Sequence, residues 1–556
     1  MAPTGEADHI ISQITAIDNE IRELNNKRAA LVQRLNIIQS PIVSLFPSEI
    51  LSRVFWFATR PYDQEDQQRK PTLSDTRNLF AIGSVCSKWY GLTRSSPQLW
   101  ATIGLHKKST PAQTKSTDYV ALLQYYYRHV GPSGLSISIS DLEPTVEAVI
   151  DEIVRVALED NPGKLRAFHT DQGWNCATGK SLWPSLAKYG AKDVEFSQLE
   201  RLELAWNRVI GGSETQHEDA SLFLRSPRLR LLSIDACRAP KTPLQFPWIQ
   251  LTELSLKDSG AFYALQLLAL CPNLVTFNFQ HLPVHDWSSL KLELTTMQSL
   301  RSLTWEALGN LEARFSDEQR PNIVPLDFLR YFRLPSLRYL NWRAPIPDSA
   351  GNSVTIHDFF AQMHQLEILK LHPSPKSKFG IEHQLHSFQY LTRLDLYFIA
   401  KEPREPESDE SDADETGWGT GATDEDREEM EEWFYRLAIK PGENLFPNLQ
   451  SLHFTMGDVE ADGPLVVLYS RRNGPVGWTD PKQNPRNLTL PPYDPASPHW
   501  RNHSRLTEFS FQAYHDSTEM EWDFSPHHSA LQDMISEARA TEGVEDSIWT
   551  GFKLFF

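Results

Sequence analysis

The chain of 556 residues has few cysteines and no long apolar run, and both shortages limit the kinds of protein that it can be. Its four cysteines (Cys86, Cys176, Cys237 and Cys271) show no CxxC spacing, so a disulfide framework is not expected and a reducing compartment suits the protein. No window approaches the ~20 uninterrupted apolar residues of a membrane helix, and no basic region followed by an apolar run opens the sequence. These absences predict a cytoplasmic or nuclear protein without a membrane partner.

Basic residues are also too scattered to form a surface for nucleic acid. The formal net charge is −18, but residues 402–432 alone hold fifteen acidic residues and two arginines, a local charge of −13 that leaves −5 for the rest. Phosphate recognition needs clustered Lys and Arg, so no nucleic-acid partner is expected. The Pro/Ser/Asp/Glu composition predicts that residues 401–432 form an acidic, disordered insertion.

Motifs of catalysis and cofactor binding are missing as well. The chain contains no GxSxG, no GxxxxGK[ST] and no HExxH pattern. Its one glycine-rich stretch, residues 417–421, follows no predicted strand and lies among acidic side chains that would repel phosphate. The histidine pairs His281/His285 and His527/His528 have no further ligand partners at zinc-like spacing. We therefore expect no catalytic residue, no cofactor and no metal, and a protein that is not an enzyme.

Residues 9–40 follow a heptad pattern, after a predicted disordered N-terminus at 1–8. Apolar side chains recur at alternating intervals of four and three, which predicts a coiled-coil helix. The seam could serve self-association or partner docking, or pack on the chain's own next domain. Arg28 interrupts the seam and weakens self-association, so a monomer apart from its complex is expected. The seam residues are Ile10, Ile14, Ile17, Ile21, Leu24, Arg28, Leu31, Leu35 and Ile38.

Residues 41–105 contain two apolar helical patterns separated by a polar stretch. In the first pattern, Pro47 stands at a predicted helix start, and Ile50, Leu51, Val54 and Phe55 follow at helical spacing. The second places Val85, Cys86, Trp89 and Leu92 on one predicted helical face, followed by Pro97, Leu99 and Trp100. Residues 60–77 are polar with two prolines and predict a loop between the helices.

This combination resembles an F-box, a three-helix domain that binds the Skp adaptor of an SCF-type ubiquitin ligase and through it a cullin. A coiled-coil helix directly before an F-box resembles a family expanded in mushroom-forming fungi. The resemblance implies that one set of residues either binds the adaptor or packs the F-box core. That set is Phe46, Pro47, Ile50, Leu51, Val54, Phe55, Val85, Cys86 and Trp89.

From residue 119 onward an apolar-x-x-apolar-x-apolar unit recurs, which is the strand signature of a leucine-rich repeat. Leu251-Leu254-Leu256 and Leu391-Leu394-Leu396 are two clear copies. The repeats predict an irregular α/β solenoid with parallel strands over 119–400, further repeats over 433–515, and a C-terminal cap or tail over 516–556. An opening helix is expected at 119–130, a strand at 135–139 and a second helix at 146–158. The predicted fold class is thus α+α/β.

Polar residues between the repeat leucines would line the concave side of such a solenoid, where a protein target would bind. The expected function is therefore a substrate receptor of an SCF-type ligase with an unknown protein substrate. The alternative is a protein-interaction scaffold with a divergent F-box outside any ligase. The candidate target-binding residues are Arg201, Glu203, Glu253, Arg301, Arg338, Asn341, Lys370 and Asp395.

Overall fold

A computed structural model gives the fold of the protein as two compact units, residues 1–230 with 244–247 and residues 231–243 with 248–556. Each is described separately below. The structure describes residues 4–39, 45–59, 73–106, 116–140, 152–171, 194–206, 222–236, 245–259, 261–281, 294–307, 332–343, 358–371, 388–398, 433–439, 446–456 and 462–473, together with 476, 478–479, 483, 485–488, 490, 508–513 and 553–555.

The first unit begins with a long helix, α1 (Thr4–Gln39). No glycine or proline interrupts residues 6–39, so nothing breaks the ~54 Å that 36 helical residues span. The helix begins before residue 9, so residues 4–8 are helical where the sequence predicted disorder. Its seam side chains from Ile10 to Leu35 are exposed, and no described element covers them.

Three helices follow: α2 (Ser48–Thr59), α3 (Leu73–Ser84) and α4 (Ser87–Ser95), with a 3-10 turn at Pro97–Trp100. Leu51, Phe55 and Leu79 fill the space between them and are at most 2% exposed. Helix α3 occupies residues 73–77, which the sequence predicted as part of a loop. Its first turn buries Asp75 and Thr76, and the Thr76 hydroxyl is hydrogen-bonded to the Tyr126 hydroxyl at 3.1 Å.

Trp100 joins this bundle to the next helix, α5 (Ser116–His129), within the first unit. The indole is 2% exposed and lies 5.1 Å from the rings of both Tyr125 and Tyr126. Its Nε1 donates a hydrogen bond to the Thr93 carbonyl at 2.7 Å, which satisfies the buried donor. The bundle and α5 therefore share one aromatic core.

Parallel strands complete the first unit. The predicted strand at 135–139 is confirmed, and the helix predicted at 146–158 is a short helix at 152–154 that continues as a π-helix, Arg155–Asp160, in the described part. Hydrogen bonds join each strand to the one before it. The strands are β1 (Thr102–His106), β2 (Leu135–Ser140), β3 (Leu165–Asp171) and β4 (Arg201–Trp206).

The second unit contains further strands of the same repeat, each parallel to the strands with which it pairs. Successive main strands pair in chain order, while the short strands β8 and β10 pair only with each other. The elements are β5 (Leu231–Ala236), β6 (Glu253–Ser259), α6 (Ala261–Leu270), β7 (Thr276–His281), β8 (Thr295–Thr296), β9 (Ser302–Ala307), β10 (Phe332–Arg333), β11 (Tyr339–Arg343), β12 (Ile368–Leu371), β13 (Arg393–Phe398), β14 (Ser451–Met456), α7 (Asp462–Asn473), β15 (Glu508–Ala513) and β16 (Lys553–Phe555).

The predicted repeat leucines stand opposite one another in this sheet. Leu254 faces Leu232 on one side and Phe277 on the other, and the same register continues from β9 to β15. From Leu232 to Leu452 the ladder is buried, because every second side chain of a strand points to the same side. Trp305 and Trp342 extend the adjacent ladder, with ring centroids 5.6 Å apart. A mixed α/β fold with parallel strands is thus confirmed.

Two sequence predictions reach beyond the described residues. The acidic segment 401–432 lies outside them, and so does most of the predicted cap or tail at 516–556. Within that tail, β16 adds a strand beside β15, which the sequence did not indicate.

Candidate functional site

The bundle α2–α4 separates the predicted F-box residues into buried and exposed groups. Leu51 and Phe55 are in its core, whereas Ile50 and Val54 on the same helix are 45% and 52% exposed. Cys86 and Trp89 are half-buried. The Phe55 and Trp89 rings meet at a centroid distance of 4.8 Å. The exposed members of the predicted set are Phe46, Pro47, Ile50, Val54 and Val85.

Three exposed apolar side chains share one face of α2, and a fourth stands just before the helix. Ile50, Val54 and Phe57 recur at intervals of four and three residues within α2, and Phe46 precedes its first residue by two positions. Each is at least 45% exposed. Sequence reasoning missed Phe57, although its position three residues after Val54 was a sufficient signal. We call these four residues the α2 stripe.

A groove borders the α2 stripe where α2 meets the 3-10 turn. It has a volume of about 360 Å³ and is lined by Glu49, Ser52, Arg53, Trp56, Phe57 and Gln98. The Arg53 guanidinium lies 6.0 Å from the centroid of the Phe57 ring, within the range of a cation–π contact. Apolar and charged groups thus lie side by side, a mixture typical of protein-binding surfaces.

Cys86 does not belong to an apolar helical face, contrary to the sequence prediction. Its backbone is extended and it is the N-cap of α4, where its Sγ accepts a hydrogen bond from the Trp89 amide at 3.5 Å. Val85 also precedes α4, so only Trp89 and Leu92 of the predicted face lie in that helix. The capping geometry explains the difference, because a residue that caps a helix with its side chain leaves the helical conformation.

The polar face of the second unit's strands holds the other candidate surface. Glu253 opens β6 on this face and is exposed, and Arg301 and Arg338, which directly precede β9 and β11, are exposed as well. Arg338 forms an ion pair with Glu367 of the next repeat, with Nη1 and Oε1 3.1 Å apart. Lys370 is half-buried. The three exposed side chains are therefore accessible for direct contact with a partner.

Asn341 and Asp395 are buried, which corrects their placement on an exposed target surface. The Asp395 carboxylate is fully buried and accepts hydrogen bonds from Arg393 Nε at 2.9 and 3.2 Å. Lys370 Nζ lies 3.1 Å from the same carboxylate, and His453 Nε2 lies 3.9 Å away. Longer basic side chains from its own strand and from the two neighbouring strands cover the short carboxylate. Asp395 therefore holds the basic side chains of this surface in position, and it is too deeply buried to contact a partner itself.

A similar cluster in the first unit involves Arg201 and Glu203, two further predicted target residues. Glu203 of β4 pairs with His169 of β3 and with Arg201 of its own strand. Burial raises the pKa of Glu203, but the hydrogen bond and charge of His169 and the charge and hydrogen bond of Arg201 outweigh it and bring the pKa to about 2. Both candidates thus have intrachain partners.

The described ranges hold neither a cluster of metal ligands nor a membrane-spanning helix. These residues contain no group of three or more His, Cys, Asp or Glu side chains that could hold a metal ion. Burial raises the pKa of the Cys271 thiol to about 12, so this cysteine is protonated at neutral pH and a poor nucleophile. The helices among them are all too short or too polar to cross a membrane.

Comparisons with known proteins add no assignment to these surfaces. A scan against protein-family models and a search of the curated proteins both found no match to the chain.

Proposed function

We propose that the chain is an F-box substrate receptor of an SCF-type ubiquitin ligase, which binds a Skp-type adaptor through α2–α4 and a protein target through its parallel strands. The observation that carries the proposal is the division of α2 into a buried side with Leu51 and Phe55 and an exposed apolar stripe. In this role the protein performs no chemical step; it acts in the cytosol or nucleus, and the adaptor and cullin link it to the ligase.

The α2 stripe supports adaptor binding because its exposed apolar side chains contribute little to packing within the bundle. Fully burying one such side chain contributes about 1.5–3 kcal/mol, so burying the half that is exposed would contribute roughly 1 kcal/mol for each residue. A contiguous stripe of this kind on a surface marks an interaction site more often than scattered single residues do. Phe57, beside the groove at Arg53 and Trp56, extends the proposed adaptor surface beyond the residues that the F-box resemblance implies.

The target surface is proposed on the polar face of the second unit, around Glu253, Arg301 and Arg338. These exposed charges differ from strand to strand, and such variation suits recognition of one particular protein sequence. Asp395 would hold its basic partners, Lys370 and Arg393, in place on the same face.

The adaptor assignment is tested by replacing Pro47 with Ala and Ile50 with Asp in the full-length chain. The new carboxylate would be buried without a partner in the interface, which costs several kcal/mol, so adaptor co-purification should be lost. The matched control is Ile249→Asp in the second unit, where the native side chain is 70% exposed, and it should retain the adaptor. Circular dichroism should show unchanged helix content in both variants. Undiminished adaptor recovery with the double variant would contradict the F-box assignment.

The same pulldown separates the proposal from a non-ligase scaffold. A ligase receptor recovers both adaptor and cullin, whereas a scaffold with a divergent F-box recovers no cullin. Recovery of the adaptor with no cullin would therefore favour the scaffold.

A further inference from the structure

Helix α1 presents a long apolar seam that no described part of the chain covers. The described seam side chains are between 49% and 64% exposed, apart from Arg28, which is exposed as well. The sequence left self-association, partner docking and packing on the chain's own next domain open, and Arg28 favoured a monomer. The exposure removes support for intrachain packing, and a single amphipathic helix in water is marginally stable without a partner for its apolar side.

The heptad positions of α1 decide which partner fits. Ile14, Ile21, Arg28 and Leu35 occupy the a positions, and Ile10, Ile17, Leu24 and Leu31 occupy the d positions. In a parallel pair of identical helices, a positions face each other, so two Arg28 side chains would meet in the seam. The flanking e and g positions would then pair Glu20 with Asn25 and Lys27 with Val32, which joins no opposite charges. A parallel homodimer is therefore disfavoured.

An antiparallel pair solves both problems. In the register that places Ile21 opposite Leu24 of a second copy, every a position faces a d position. The resulting layers are Ile10 with Leu35, Ile14 with Leu31, Ile17 with Arg28, and Ile21 with Leu24, each occurring twice. The two Arg28 residues are then separated, and each extends its aliphatic stem over Ile17 with Asp18 next to it.

The edges of the same register are complementary once Lys27, which lies 2.7 Å from Glu23 of its own helix, turns toward the other copy. Glu20 faces Lys27 of the other copy on one edge, and this ion pair also occurs twice. On the other edge Ile11, which is 60% exposed, faces Val32, which is 45% exposed. The apolar residues outside the a and d positions thus gain a partner as well. Seam, charges and edge residues all select the same arrangement.

We propose that α1 pairs with α1 of a second copy of this chain in an antiparallel coiled coil over residues 10–35. The paired segment is ~39 Å long at 1.5 Å per residue. Because the helices run in opposite directions, the two α1 C-termini at Gln39 lie at opposite ends of the coil. The bundles α2–α4 of the two copies would thus follow from opposite ends, and the dimer would present two separate α2 stripes.

Light scattering on the full-length protein tests the proposal. The wild type should have a mass of about 127 kDa, twice the 63.6 kDa of one chain. Ile17→Asp with Leu24→Asp should convert it to the monomer mass without a change in the thermal transition of the remaining structure, because both side chains are exposed in α1. A wild type that remains monomeric overturns the proposal, and so does a dimer that these substitutions leave intact.

Charge reversal tests the direction of the helices. Glu20→Lys creates two repulsive contacts with Lys27 in the antiparallel register and should weaken the dimer about tenfold. Adding Lys27→Glu to the same chain should restore the wild-type dissociation constant. In a parallel dimer Glu20 faces Asn25, so the single reversal would have little effect and the second would rescue nothing. That result would overturn the antiparallel register.

Discussion

At the scale of the residue, burial and not residue type decided which charged side chains face a partner. Asp395 and Glu253 occupy outward positions of the same repeat pattern, yet Asp395 is fully buried and Glu253 is exposed. The difference arises from their neighbours, since Lys370 and Arg393 converge on Asp395. A carboxylate held by two cations beneath the surface positions them for a partner, while an exposed carboxylate is available for direct contact.

Glu203 predicts a dependence of stability on pH. Its pKa of about 2 in the folded protein lies below the ordinary value of 4.5, so folding favours the ionised form. The stabilisation is complete above about pH 4.5 and is lost as the pH falls from there toward 2, with a total of about 2–3 kcal/mol for such a shift. Urea unfolding of the wild type should therefore lose more free energy over this range than that of Glu203→Gln. Equal losses in the two proteins would contradict the role assigned to the His169–Glu203–Arg201 cluster.

At the scale of the element, α7 packs closely against a neighbouring helix because residue 463 is a glycine and has no Cβ. Gly463 lies in the first turn of α7, where an added Cβ would stand 2.4 Å from the Phe434 ring. Phe434 belongs to the short helix at 433–437 and is 1% exposed, so its ring has little room to move. Arg471 of α7 strengthens the same contact by donating hydrogen bonds to the Leu437 carbonyl at 3.0 and 3.2 Å.

A pair of glycine substitutions tests this packing. Gly463→Ala should destabilise the protein by about 1–3 kcal/mol, because overpacking displaces the Phe434 ring. Gly91→Ala in α4 is the matched control: no atom lies within 4 Å of its added Cβ. Replacing a helical glycine with alanine at such an open site should stabilise by about 0.5–1 kcal/mol. Thermal unfolding measures both changes, and similar shifts for the two variants would show that the contact with Phe434 does not restrict position 463.

At the scale of the whole molecule, most of the net negative charge is concentrated in one segment of the sequence. Residues 402–432 carry −13 of the total −18, while the described strands carry opposite charges that pair with one another. A low content of apolar residues predicts that the acidic segment contributes little to either hydrophobic core. Its charge would instead act on solubility and on the rate of association with charged partners.

Deleting residues 402–423 should therefore leave the melting temperature almost unchanged. The free energy of unfolding should change only through the entropy of loop closure, which amounts to about 0.6 kcal/mol for each doubling of loop length. Leu394→Ala, which removes a fully buried ladder residue from β13, is the contrasting variant and should cost about 2–5 kcal/mol. Calorimetry of the full-length proteins measures both. A large drop after the deletion would mean that the segment is a structured part of the fold.

The sequence by itself determined the periodic part of this protein. The helical pattern after Pro47 and the recurring repeat unit identified α2 and the strands, since burial of one face imposes periods of 3.6 and 2 residues. The sequence also defined which seam residues of α1 are apolar. These features depend on local backbone geometry, which each segment carries with it.

Only the tertiary structure decided how those segments use their side chains. It divided α2 into a core side and an exposed stripe, made Cys86 a helix cap, and enclosed Asp395 between Arg393 of its own strand and Lys370 of the neighbouring strand. Among the described residues it also left the α1 seam uncovered, a fact that no pattern within the helix could contain. The physical reason is that burial depends on residues distant in the chain, whereas the Cys86 cap depends on where the backbone of one helix ends and the next begins.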